Sequence, residues 1–250
     1  MELKLPSQCQ SSRSDIPLSA SAWEDFEAGI EEVSCLMSLL PETSSAAQGN
    51  AVQRAAVVML VSHFEGFLQG MAREFVDELN TGELQSRAIP ARLRELHTIP
   101  KLESVVSSGD ATQRRSLLKK IDRVVVLWKD DAKPARGTLE PERLSRVVTN
   151  ASADVVNELF DLMGEKRPVC AGEVDVAEGE DLQAVHIEDF LKDIVSCRND
   201  IAHGDVTRKP TRADVERYIR VLRALADRLN RKMKQRVAEI GEEHAVTIAQ

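Results

Sequence analysis

The sequence contains few aromatic residues and no closely spaced cysteines, and both shortages narrow the class of protein. Phe, Trp and Tyr make up only 4% of the 250 residues, and Val, Ile and Thr do not recur in the short alternating runs that are typical of β-strands. The absence of a Cys-x-x-Cys pair argues against a disulfide framework and against a zinc site. The four cysteines are Cys9, Cys35, Cys170 and Cys197. We therefore expect an all-α protein in a reducing compartment, with no metal site.

Motifs of several common enzyme classes are also missing. The sequence has no Gly-rich phosphate loop, no His-Glu-x-x-His and no Gly-x-Ser-x-Gly. Residues 1–10 include no apolar run like that of a secretory signal peptide, and the most apolar run, residues 55–61, is too short to span a bilayer. We expect a cytoplasmic protein with no membrane partner and no cofactor.

Negative charge is in excess, but it is unevenly distributed. The formal net charge is −8, whereas residues 208–236 contain 11 Lys and Arg against 3 Asp and Glu, a local charge of +8 that leaves −16 for the rest. The overall charge argues against a general nucleic-acid coat protein, and this segment is the one element expected to attract a phosphate backbone. The alternative is a solvated basic helix face without a partner, because such faces are common.

Apolar residues at helical spacing predict four core helices. Residues 1–18 lack periodicity and are interpreted as a loose leader. The first helix begins at the capping-box pair Ser21 and Glu24 and ends at Pro41. Three further helices are predicted at about 48–79, at about 187–202 and from Thr211 onward, the last with its basic residues largely opposite an apolar stripe.

The middle of the chain predicts shorter helices, separated by prolines such as Pro100 and by glycines. These helices lie around residues 91–97, 112–128, 141–150 and 154–163. Residues 165–181 combine Pro and Gly with six acidic residues, which predicts a solvated connection or mobile loop. The whole pattern indicates a single helical domain over residues 19–250, with core helices at about 19–80 and 186–240. The helical insert and the acidic loop occupy about 81–185.

One charged residue lies where the helical pattern requires an apolar one. At about 100° per residue, Arg198 falls in the middle of the apolar stripe of the helix at 187–202. Burial of an unpaired guanidinium is strongly unfavourable. Arg198 must therefore pair with a core carboxylate such as Glu65, extend past the helix end, reach a cleft or cross a subunit boundary.

Polar residues near Arg198 extend this pattern. Asn199 and His203 are four residues apart and share the next helix face, whereas one continuous helix cannot bring Arg198 and His203 together. Helix termination near Gly204, or a second copy of the segment from another subunit, would be needed. Glu65 points away from His63 on the central helix, so we expect a structural partner for an arginine rather than a shared metal site.

Residues 198–204, RNDIAHG, resemble the signature of HEPN superfamily nucleases, in which an Arg precedes a polar residue and a His follows a few positions later. The segment from Arg54 to Phe67 is similar to the earlier core helix of the RiboL-PSP-like branch of that superfamily. The resemblance implies an all-α, HEPN-type helical bundle with a helical insert. It also implies a homodimer in which Arg and His from two chains line one cleft, and some members keep the fold without activity.

The resemblance assigns the catalytic roles to Arg198 and His203. RNA cleavage by its own 2′-hydroxyl needs a base, an acid and positive charge at the phosphorus, without a metal. Asn199 and Asp200 are expected to position the substrate, although Asp200 can equally be a surface carboxylate, and Glu65 is expected to support Arg198. Four arginines of the last helix are expected to guide RNA to the site: Arg217, Arg220, Arg228 and Arg231.

A second match to the motif spacing, from Arg92 to His97, lacks the polar residue after Arg and the Gly after His. We interpret it as a decoy.

Three functions remain open. The first is a metal-independent RNA endonuclease of the toxin or phage-defence kind, for which an antitoxin or other inhibitor protein would be a further partner. The second is a non-catalytic HEPN module that binds RNA, a nucleotide or a protein, and the third is a purely structural helical dimer. An open basic cleft shared by Arg198 and His203 would favour the enzyme. An Arg198 sealed by Glu65, with His203 in bulk solvent, would favour the structural dimer.

Overall fold

The computed structural model describes residues 21–41, 44–81, 83–178 and 181–248, so the predicted leader at 1–18 lies outside the described residues. Within these ranges the chain forms eight α-helices and one two-stranded sheet. In chain order they are α1 (Ala22–Ser38), α2 (Ala46–Thr81), α3 (Ala91–Ser107), α4 (Ala111–Val125), α5 (Pro141–Ser145), α6 (Ala153–Leu162), β1 (Glu173–Glu178), β2 (Asp181–His186), α7 (Ile187–Ala202) and α8 (Arg212–Ile248). The prediction of a mainly helical fold is confirmed.

Side-chain caps fix the starts of two core helices, as the sequence predicts. In α1, the Ser21 amide donates to Glu24 Oε2 at 2.8 Å and the Glu24 amide donates to Ser21 Oγ at 3.3 Å. At the start of α8, the Thr211 amide donates to Asp214 Oδ2 at 2.8 Å and the Asp214 amide returns to Thr211 Oγ1 at 3.2 Å. Each box satisfies backbone amides that lack a partner in the first helical turn.

Helix α2 is the centre of the bundle, and α1, α5, α7 and α8 pack against it. The ring of Phe26 lies 5.9 Å from that of Phe64 and 5.4 Å from that of Phe67, which joins α1 to α2 through a fully buried aromatic cluster. By length and composition α2 could also cross a membrane, but half of its most apolar 18-residue window is buried in the bundle. It is the core helix of the fold.

The prediction of a loop over residues 165–181 was wrong for its second half. β1 and β2 form an antiparallel hairpin in which Val174 lies opposite Val185. Val174, Val176 and Val185 are buried, and the hairpin packs on α8. The valines alternate with acidic and small residues at the two-residue period of a strand, and the high acidic content obscured that period in the sequence.

Three predicted helix boundaries differ from the structure. Helix α3 continues through Pro100 to Ser107, although a proline inside a helix removes one hydrogen bond and crowds the preceding turn. Helix α5 ends at Ser145 rather than near Asn150, and α8 runs to Ile248, with Ile240 still buried.

Candidate nuclease site at the end of α7

A glycine-based cap ends α7 directly after the motif. Gly204 has φ +84°, a conformation that strains any residue with a Cβ atom. The Gly204 amide donates to the Ile201 carbonyl at 3.1 Å and the Asp205 amide to the Asp200 carbonyl at 2.9 Å, the bonding pattern of a Schellman cap. His203 precedes this turn with φ −82° and ψ 3°, so the backbone follows the helix up to the histidine.

This late termination keeps Arg198 and His203 apart within one subunit. Five helical steps place them about 140° apart around the axis and about 7.5 Å apart along it. Helix termination near Gly204 therefore does not bring the two side chains together.

Arg198 lies on the apolar face of α7 and pairs with Glu65 of α2, as expected. Its Nη2 lies 3.0 Å from Glu65 Oε2 and 3.2 Å from Oε1, and its Nη1 donates to Asn199 Oδ1 at 3.0 Å. The side chain of Arg198 is 27% exposed and that of Glu65 17%. The guanidinium is thus held from two sides without being sealed, and it reaches the surface at one edge.

His203 lies in solvent beyond this pair, which is one of the two features that would favour a structural dimer; the other, a sealed Arg198, is not found. It is exposed, and its ring has no hydrogen bond or ion pair among the described residues. Asn199 and Asp200 are half-buried. The Asn199 side chain accepts a hydrogen bond from Arg198. The backbone carbonyl of Asn199, not its side chain, accepts the hydrogen bond from the His203 amide, at 2.9 Å. The structure therefore places Asn199 as a partner of the arginine rather than of the histidine.

Arg54 of α2 anchors the loop that follows the motif. Its Nη1 donates to the carbonyl of Asp205 and, at 2.7 Å, to that of Arg208. The hydroxyl and amide of Thr207 donate to Asp205 Oδ1 and hold the pKa of that carboxyl below its usual range. Arg54 lies in the segment that carries the family resemblance, but only the tertiary fold shows this contact.

A second network, which the sequence analysis missed, joins α7 to α8. Tyr218 donates to Asp193 Oδ2 at 2.8 Å, and Arg208 donates to Asp193 Oδ1 at 2.9 Å. Burial, together with the bond to Asp193, raises the pKa of Tyr218. The network ties Arg208, in the loop between α7 and α8, to Asp193 of α7.

The two residues of the decoy motif, Arg92 and His97, make contacts that support the fold. His97 is buried, with Nδ1 2.8 Å from the Leu93 carbonyl, and its Nε2 accepts the Glu140 amide at 2.8 Å. Burial lowers its pKa, so the neutral ring links α3 to the residue that precedes α5. Arg92 is paired with Glu158 at 2.9 Å and with Asp161.

The four arginines expected to guide RNA do not share one environment. Arg217 is exposed and Arg220 is half-buried. Arg228 donates to the carbonyls of Glu173 and Val169 at 2.8 and 3.4 Å, and so binds the hairpin to α8. Arg231 is exposed and pairs with Asp227 at 2.5 Å. The four arginines therefore include exposed charges as well as Arg228, which supports the fold.

The helical bundle and the motif at the end of α7 define a HEPN-type protein. The chain matches the family model described as RiboL-PSP-HEPN over residues 24–235 and belongs to this family. HEPN proteins are generally associated with RNA cleavage or RNA binding. The match confirms the resemblance and also includes the insert, which the resemblance did not cover. Comparison with curated proteins and with solved structures gives no match.

Proposed function

We propose that this protein is a metal-independent RNA endonuclease of the toxin or phage-defence type, with Arg198 and His203 as its catalytic residues. The observation that carries the proposal is the arrangement at the end of α7. A guanidinium held by Glu65 and Asn199 reaches the surface, and an exposed histidine without a partner among the described residues follows at a hydrogen-bonded cap. A pre-positioned cation and a free imidazole are the groups that cleavage by the 2′-hydroxyl requires.

The proposed reaction needs no external nucleophile. One His203 accepts the proton of the 2′-hydroxyl, the bond from the 2′-oxygen to phosphorus forms, and the bond from phosphorus to the 5′-oxygen breaks. A protonated second histidine donates to the leaving 5′-oxygen. Arg198 has N–H groups beyond those used by Glu65 and Asn199, and these stabilise the charge on the phosphate oxygens. The products carry 2′,3′-cyclic phosphate and 5′-hydroxyl ends.

A homodimer is the proposed active unit. Because the helix keeps Arg198 and His203 of one chain on different faces, the site needs a second copy of α7 to form one cleft. Two-fold symmetry also supplies the second histidine, so that one acts as base and the other as acid.

The second candidate is a non-catalytic HEPN module that binds RNA or another ligand. The observation that favours it is the ion pair itself, because Glu65 neutralises Arg198 and competes with a phosphate for the same donors. The two candidates differ in whether RNA is cut after it binds.

The test is incubation of the purified protein with mixed RNAs in EDTA. Arg198→Ala and His203→Ala should each lower cleavage by at least about 100-fold, the usual weight of such groups. Two matched controls should keep wild-type rates: Arg92→Ala, from the decoy, and His186→Ala, an exposed histidine paired with Asp189.

RNA with 2′-O-methyl groups at the cut site should resist cleavage, and DNA should not be cut. A strict requirement for Mg²⁺ or Mn²⁺ contradicts the mechanism. Binding of RNA without cleavage by the wild type supports the second candidate instead.

A further inference from the structure

A cleft of about 630 Å³ lies between α8 and the chain that joins α6 to β1, a size that accepts a small organic molecule. The hairpin locates this cleft relative to the motif. His186, directly before α7, lies opposite Glu173, whose carbonyl accepts a bond from Arg228 in the wall of the cleft. The 16 residues of α7 extend over about 24 Å. The cleft and the motif therefore lie at opposite ends of α7.

The walls of this cleft are strongly basic. Arg167 lines it from the chain after α6, and Arg228, Arg231 and Lys232 line it from α8, against one acidic side chain, Glu165. Four positive charges and one negative charge give these walls +3 in a chain of −8. At 100° per residue, the three cations of α8 fall within an arc of about 100°. They therefore present their charge to the same side of the helix.

Only part of this charge is neutralised. Arg167 is exposed and has no hydrogen bond or ion pair among the described residues. Arg228 donates to two backbone carbonyls, which hold the guanidinium in place but do not cancel its charge. The remaining two cations of the cleft pair with one carboxylate each. Two positive charges therefore stay in excess, one on each wall.

The cleft also has apolar surface. Leu229 and Val169 close it toward the core and are buried, whereas Pro168 and Ala171 lie exposed at its rim. An inorganic anion would leave this surface in water, whereas a ligand with an apolar part would cover it. No aromatic side chain lines the cleft as the structure describes it, so it offers no platform on which a nucleic-acid base could stack.

We propose that this cleft binds a small phosphate monoester whose organic part is apolar. A phosphate monoester carries a charge of about −1.5 to −2 at pH 7 and three acceptor oxygens on one phosphorus atom, which matches the two excess cations. A simple carboxylate supplies only one charge. A phosphate within an RNA strand also carries one charge, and the chain on both of its sides keeps it from entering a concave site. This proposal goes beyond the nuclease proposal and does not depend on it.

The test compares three small probes by calorimetry on the full-length protein. Phenyl phosphate combines the charge with an apolar ring, inorganic phosphate lacks the ring, and benzoate replaces the phosphate with a carboxylate. Phenyl phosphate should bind with a dissociation constant below about 1 mM, the range expected for a ligand of this size. It should bind at least about 10-fold more tightly than either of the other two probes.

Two variants test the place of binding. Arg167→Ala with Arg231→Ala should lower the affinity for phenyl phosphate at least about 10-fold, and Ala171→Glu, which adds a carboxylate at the rim, should do the same. Lys209→Ala with Arg217→Ala is the matched control, because it removes two exposed positive charges near the start of α8, and it should leave the affinity unchanged. All the substituted residues are exposed, and circular dichroism checks that each variant keeps its helix content.

The proposal is overturned if phenyl phosphate fails to bind at about 1 mM or binds no better than inorganic phosphate or benzoate. It is also overturned if the cleft variants bind phenyl phosphate as the wild type does, or if Arg198→Ala abolishes binding, since the probe would then occupy the motif. Loss of binding to 2′-O-methylated RNA in the cleft variants, without any binding of phenyl phosphate to the wild type, would make the cleft part of an RNA surface instead.

Discussion

Glu65 of α2 and Arg198 of α7 form a two-point ion pair, with the two carboxylate oxygens 3.0 and 3.2 Å from one guanidinium nitrogen. The pair lies where α7 turns its apolar face to the core helix. Glu65 therefore allows a charge to occupy an apolar face, and it orients that charge toward the surface. In the proposed reaction, the phosphate must displace this carboxylate or share the guanidinium with it.

Substitution of Glu65 should cost stability because both side chains are mostly buried. Glu65→Gln leaves Arg198 without its anion and should lower the free energy of unfolding by about 1–3 kcal/mol. Urea unfolding at pH 7 measures the change. Glu142→Gln serves as the control, because Glu142 pairs with Arg73 on the surface and is 61% exposed, and it should not shift the midpoint. Identical midpoints for the two variants would show that the Arg198 pair contributes nothing.

The sequence was sufficient where a local pattern determines the structure. The caps at Ser21 and Thr211 need only residues three apart, and the place of Arg198 on α7 follows from helical periodicity, which left an acidic partner such as Glu65 as one of several alternatives. The contacts of Arg54 with the carbonyls of Asp205 and Arg208 join residues about 150 positions apart, so no local pattern contains them.

The β1–β2 hairpin was not predicted from the sequence, for a different reason. Its buried valines do alternate, but acidic neighbours gave β1 the composition of a loop, and only packing against α8 shows that one face is covered. The structural role of Arg228 could not be predicted for the same reason, because it depends on packing. On the sequence it belongs to a basic stripe, whereas in the fold its guanidinium donates to the carbonyls of Glu173 and Val169.

His97 should make stability fall as the pH drops below about 6.5, the ordinary pKa of a histidine. Burial lowers its pKa in the folded protein, so the unfolded chain binds the proton more tightly. This contribution is complete above the unfolded pKa and is lost as the pH falls through the folded pKa. Urea unfolding at pH 7.5 and pH 5 should therefore show a larger loss for the wild type than for His97→Gln. Equal losses would show that His97 titrates normally.

Arg217 and Arg228 should respond differently to substitution, although both belong to the basic stripe of α8. Arg217 is exposed, so Arg217→Glu should weaken RNA binding and flatten its salt dependence with no loss of stability. Arg228→Ala should instead lower the unfolding midpoint, because the carbonyls of Glu173 and Val169 lose their donor. Affinity measured from 50 to 300 mM salt, about a factor of six, separates the two effects. An unchanged salt slope for Arg217→Glu would make the stripe a plain solvated face.

The proposed dimer can be tested by mixing two inactive subunits. One chain carries Arg198→Ala and the other His203→Ala, each with its own affinity tag, and the heterodimer is purified through both. It keeps one intact arginine and one intact histidine, so water must replace the missing acid or base. Cleavage should therefore return in part, above either parent homodimer and below the wild type. Light scattering at the assay concentration tests the opposite outcome. A strictly monomeric protein that cuts RNA at the full rate would exclude a shared site.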